Sequence, residues 1–149
     1  MGNVNAHDGY KIGGHSWNMV DEETGSNLVL NCQKCHAAFT SYDSKAPQDY
    51  DGDGVINGYQ TETLGLLDTL RTLLAGAGYL KKQPDGSYLP ANMRVPRDIA
   101  GCVWNYLFIE DDRSEGVHNF KYEYGLLKSS IDYLKAHLSP AMRAPVAEL

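Results

Sequence analysis

Five consecutive residues, Cys32-Gln33-Lys34-Cys35-His36, constrain this chain more than any others. Two thiols three positions apart can add across the two vinyl groups of a haem and tie one edge of the porphyrin to the backbone. The histidine that follows directly then lies under the iron and supplies an axial nitrogen. Zinc and a redox dithiol are the competing uses of Cys-x-x-Cys. A zinc site usually wants a second pair of Cys or His ligands at suitable spacing, and the sequence has no second pair. A thioredoxin-like dithiol sits among alternating strands and helices, and the pattern along this chain lacks that alternation. The motif therefore predicts one covalently attached haem c, held by Cys32 and Cys35, with His36 as the proximal iron ligand.

The rest of the chain reads as one domain over residues 1–149, mainly α with much irregular loop. Residues 1–31 are rich in Gly, Asn, Asp and His and read as loop. Residues 32–48 carry the motif and a short helix. Residues 49–60 are an acidic turn, 61–138 a helical core and 139–149 a tail. From Tyr59 onward Leu64, Leu67, Leu70, Leu73 and Leu74 recur at spacings of mostly three and four, which places them on one inward face. Gly76 and Gly78 end that helix. Pro84-Asp85-Gly86 between short apolar ends predicts a small hairpin. Pro96 opens a second long helix with Ile99, Val103, Tyr106 and Leu107 as its stripe. A third runs from about Lys121 to His137 with Leu127, Ile131 and Leu134 inward, and Pro140 follows it. Cys102, alone in a helical pattern, reads as a small core residue.

The iron's second axial position decides between uses, because an open site binds small ligands and a filled one favours electron transfer. His15, in a Gly-framed loop beside Trp17, and His118, just before the third helix, are the two leading distal candidates. His7 is weaker, in a segment with little to hold it. His137 suits a plain role at a helix C-terminus, where a cation meets the negative end of the dipole. The methionines Met19, Met93 and Met142 sit in less favourable settings than the histidines.

A second pattern is acidic. Asp49, Asp51, Asp53, Gly54 and Val55 match the opening positions of a calcium loop: alternate carboxylates, a glycine for the sharp turn, then a backbone carbonyl. The twelfth position should be a bidentate Glu and is Gln60, with Glu62 two residues on. The competing reading is a turn held by side-chain to backbone hydrogen bonds that caps the helix from Tyr59.

Several pieces of the chain together resemble the C-terminal part of multihaem c-type cytochromes, a group that includes the ammonia-forming nitrite reductases and extracellular or periplasmic electron carriers. The pieces are Trp104-Asn105-Tyr106, the run Asp112-Arg113-Ser114-Glu115-Gly116-Val117-His118-Asn119, then Tyr122 and Leu126-Leu127. The acidic segment before a leucine-rich helix and a histidine of the His15 type ahead of the haem motif are also similar. The resemblance covers most of residues 12–135. It implies a c-type cytochrome module with its helices packed around the haem. It also implies that His118 and His15 are distal ligands, each able to serve a haem other than the nearest in sequence. A single attachment motif departs from that family, so two ligand-like histidines face one iron, as in a module of a longer haem relay.

The leading expectation is electron transfer through a bis-histidine, low-spin haem c. The alternatives are part of a multihaem oxyanion reductase and a gas-binding haem module. A net charge of −6 with no basic run disfavours nucleic acid, whose phosphates need clustered Lys and Arg. It suits a cationic redox partner or a neighbouring haem subunit. No apolar run approaches the ~20 residues that span a bilayer. Met1-Gly2-Asn3-Val4-Asn5 has neither the basic start nor the apolar stretch of a secretory leader. Haem c is attached outside the cytoplasm, so the expected location is periplasmic or extracellular. The leader then lies outside this numbering, or the chain is a portion of a larger exported protein.

Overall fold

The computed structural model describes residues 17–21, 24–30, 32–91, 94–117 and 119–139. Within them the order is α1 (Tyr59–Gly76), β1 (Leu80–Lys82), β2 (Tyr88–Pro90), α2 (Arg97–Asp112) and α3 (Phe120–His137). The tail after 139, with Met142, lies outside the described residues, as does Met93. The mainly helical expectation holds, and each predicted long helix and the hairpin fall where their patterns placed them.

Leucines drive α1 inward. Leu66, Leu67, Leu70, Leu73 and Leu74 are buried, three and four apart, so they form one stripe. Leu64 does not join them. It is 46% exposed, and the buried stripe runs through Leu66 and Leu67 instead, a shift of about one helical position. The helix ends in two paired bonds, Gly78 N to Ala75 O at 2.9 Å and Tyr79 N to Leu74 O at 2.8 Å. Gly78 supplies the left-handed turn, at φ 78°, that this C-terminal motif requires. The chain then reverses through the hairpin. β1 and β2 pair antiparallel with Leu80 opposite Pro90, and Leu80 anchors the ribbon in the core.

α2 buries Ile99, Cys102, Val103, Tyr106 and Ile109. α3 buries Leu127, Ile131 and Leu134. All of these meet the α1 leucines in one core cluster. Leu70, Leu74, Leu127 and Leu134 have no exposed surface, and each stabilises the fold by roughly 1.5–3 kcal/mol through burial. Cys102 sits among them as expected, its Sγ 3.9 Å from Ser130 O, and burial pushes its thiol pKa up. Asn105 ties α2 to α3 by donating from Nδ2 to Ser130 Oγ at 3.0 Å. Asn119 caps α3, its side chain accepting from Tyr122 N, the usual service of an Asn at that position. Among the described residues no helix is long and apolar enough to cross a membrane.

A second, smaller cluster stands apart. Met19, Val29 and Tyr42 are buried together, with Cys32, Phe39 and Val117 packed against them. Those six side chains bring the segment before the Cys-x-x-Cys-His motif, the motif itself and the α2–α3 loop to one place.

Candidate functional site

The motif is wound into successive turns. Cys32 N and Gln33 N both donate to Val29 O, and Cys35 N and His36 N both donate to Cys32 O, at 2.8–3.1 Å. The expected short helix over 32–48 does not form. Gln33 Nε2 donates to Phe39 O at 2.9 Å, and Phe39 and Tyr42 turn into the small cluster. Those contacts pull the chain off a helical path after His36.

Tyr42 is the motif's main support. Its hydroxyl donates to Leu28 O at 3.0 Å and lies 3.4 Å from Cys32 Sγ. Asn27 holds its backbone by accepting from Tyr42 N at 3.2 Å. Burial, with Cys32 beside it, pushes the Tyr42 pKa up to about 12, so its proton is retained at neutral pH. Both motif thiols are free; Cys32 is half-buried and Cys35 exposed. His36 is exposed, with its ring 6.3 Å from that of Phe39. Leu28 and Leu30 flank the motif, and Leu30 is 79% exposed. Exposed apolar residues just before two free thiols and an imidazole are groups that suit a porphyrin, whose faces are apolar and whose two vinyl groups can take up thiols.

His7, His15 and His118 lie outside the described residues; Val117 and Asn119 are placed on either side of His118, and after His15 the chain is described from Trp17 onward. Val117, which precedes His118, packs on the cluster that contains Cys32. Trp17, two residues after His15, donates its N–H to Asp112 O at 2.9 Å, at the end of α2. Val117 thus ties the residue before His118 to the cluster on which Cys32 packs, and Trp17 ties the chain after His15 to the end of α2. Met19 is in the same cluster as Cys32, closer than its sequence setting suggested. His137 is in the last turn of α3, stacked on Tyr133 at 4.1 Å, in keeping with a plain helix-end residue.

The loop before His118 is tightly folded. Arg113 and Glu115, at φ 57° and 54°, and Gly116, at φ 90°, all take left-handed backbone. Non-glycine residues adopt it only where surroundings hold them there. Gln60 does some of that holding, donating from Nε2 to Ser114 O at 3.3 Å and to Glu115 Oε2 at 3.1 Å. Gly116 passes so close to α1 that an added Cβ would lie 2.8 Å from Thr63 Oγ1.

Gln60 therefore turns away from the acidic loop, and its expected place there is not filled by its side chain. Glu62 organises that loop. It is fully buried. Its Oε2 accepts from Tyr50 N at 2.7 Å and Asp51 N at 3.1 Å, and its Oε1 accepts from Asn57 N at 2.8 Å. Asp49 accepts from Gly52 N at 2.6 Å and Gly54 N at 2.9 Å, and those bonds lower its pKa. Burial raises that of Asp51. Asp53 accepts from Val55 N at 2.7 Å, and Val55 itself is exposed. Carboxylate oxygens of Asp49, Asp51 and Glu62 lie within 4.8 Å of one another, so these three could hold a cation; Asp53 is not among them. The cap of α1 comes from outside the loop. Asp43 accepts from Gln60 N at 2.9 Å and Thr61 N at 3.1 Å, a pairing across 17 residues that no local pattern announces.

No family model, curated protein or solved structure matches the chain.

Proposed function

We propose that this chain is an electron carrier with one haem c, attached through Cys32 and Cys35 and ligated by His36, with a histidine opposite. The supporting observation is convergence. Cys32 and Val117, the neighbour of His118, pack on the same small cluster, and the exposed Cys35 follows Cys32 in the same run of turns. The three donors are not gathered as a zinc site would gather them; among the described residues the one set of three gathered ligand groups is Asp49, Asp51 and Glu62. When bound, a haem would supply a one-electron couple. The chain's own contribution is positional. Tyr42 and Gln33 fix the motif's turns, and the Arg113–Asn119 loop offers the second ligand. The acidic surface favours a cationic partner, and the resemblance to multihaem cytochromes suits a place in a relay.

Ferric and ferrous visible spectra with and without carbon monoxide test the filled site. The natural chain should give six-coordinate bands that carbon monoxide leaves unchanged. His118→Ala or His15→Ala should then open the iron to carbon monoxide. Binding by the natural chain would overturn the carrier reading and favour the reductase or gas-binding alternatives. If neither substitution opens the iron, the distal assignment is wrong and Met19 becomes the next residue to replace.

The acidic loop is proposed as a calcium site formed by Asp49, Asp51 and Glu62. Oxygen ligands from three carboxylates suit that ion, and its charge would relieve their mutual repulsion. Calcium at ten times its dissociation constant should add about 1.4 kcal/mol of stability, read as a rise in Tm that chelator reverses. An unchanged Tm would remove the ion from the account.

A further inference from the structure

Glu123 lies in the first turn of α3 and is 5% exposed. Its Oε1 accepts from Ser114 Oγ at 3.3 Å, and Gly116 N–H also bonds its carboxyl. Its Oε2 is buried with no hydrogen-bond partner among the described residues. An ionised carboxylate oxygen left bare in that way is costly, whereas a protonated one is not. Among the described residues, the charges that act on it are Asp112, from the end of α2, and Glu115, from the loop, both negative. From α1, the neutral Gln60 and Thr63 close the loop's other side. Burial first, then Asp112, pushes the Glu123 pKa up to about 7.

The same short loop touches both sites. Ser114 and Gly116 bond Glu123, and Val117 packs on the small cluster that Cys32 also packs against. We propose that Glu123 is a redox-linked proton acceptor, taking up one proton at its bare Oε2 when a haem held at Cys32 and Cys35 is reduced. This rests on the haem reading above. A bound haem would accept one electron from a reduced haem-protein partner, and one proton would pass from water to Glu123. Reoxidation returns both. The added negative charge favours the protonated form of a neighbouring acid.

Two readouts test it. The first needs no haem. A carboxyl whose folded pKa is raised stabilises the fold fully below its unfolded value, about 4.5, and that stability is lost as pH rises through about 7. Denaturation across that window should show the loss, and Glu123→Gln should flatten it. The second is the haem midpoint potential of the loaded chain against pH. It should fall as pH rises through neutrality, and Glu123→Gln should remove the slope around pH 7. Redox-difference infrared spectra should gain a protonated-carboxyl band on reduction that the variant lacks. Ser114→Ala, which keeps the acid but removes a bond that lowers its pKa, should move the inflection to higher pH and decides the matter if Glu123→Gln fails to fold. A slope unchanged in Glu123→Gln, or a loaded chain with no slope, overturns the coupling and leaves the haem reading intact. A chain with no haem overturns both, while the stability profile still reports on the burial of Glu123.

Discussion

Replacing Glu62 by Ala should destabilise the fold by about 4 kcal/mol, read as a lower denaturant midpoint at unchanged slope. The side chain is fully buried and accepts three backbone N–H groups from Tyr50, Asp51 and Asn57. Bonds to a charged acceptor are each worth about 1.5–3 kcal/mol, and removing the acceptor leaves buried donors without partners. Water entering the space would recover part of the loss. Domains of this size are stable by about 5–15 kcal/mol, so the variant should sit close to unfolding. A loss below about 1 kcal/mol would mean that the acidic turn folds without Glu62.

The other large effect concerns attachment. If two thioether bonds hold a haem as proposed, acidified organic solvent should extract none from the natural chain. In Cys32→Ala/Cys35→Ala only the His36 bond remains on that side, and acid protonates it away. All of the haem should then be extractable, or none should be incorporated. Cys102→Ala is the matching control. Its sulfur is buried in the three-helix core, so the haem should stay attached. Haem retained against extraction by the double variant would contradict the attachment assigned to Cys32 and Cys35.

Much of the architecture is legible from local pattern, because helices are specified within a few turns. The leucine spacing of α1, the Gly78 terminator, Pro-Asp-Gly in the hairpin and the stripe of α3 each act over short range. The errors came from long-range contacts. Leu64 fits the period of its helix yet faces out, because neighbouring elements decide which edge of an apolar stripe is covered. The short helix expected after Cys32 gives way to a side-chain bond from Gln33 and to aromatic packing around Tyr42. Gln60 stands at the calcium-loop position by count, but Ser114 and Glu115, 54 and 55 residues away, draw its amide off.

The site divides in the same way. The chemistry of Cys32, Cys35 and His36 is written in five letters. The residues that hold them, Asn27 and Tyr42, bear no motif. In the sequence Glu62 stands two residues beyond the calcium pattern, and its role appears only with Tyr50, Asp51 and Asn57 around it. Glu123 gave no signal at all, since an acid in the first turn of a helix is ordinary. Its burial depends on the left-handed turn at Arg113, Glu115 and Gly116 folding over it.

The most direct test of the central claim is the number of haems per chain, from intact mass together with the pyridine haemochrome spectrum, on protein matured in an exporting host. One haem per chain is expected, covalently bound, with the haemochrome bands of two thioether links. A mass equal to the bare chain, or a chain that instead retains zinc on Cys32 and Cys35, would contradict it.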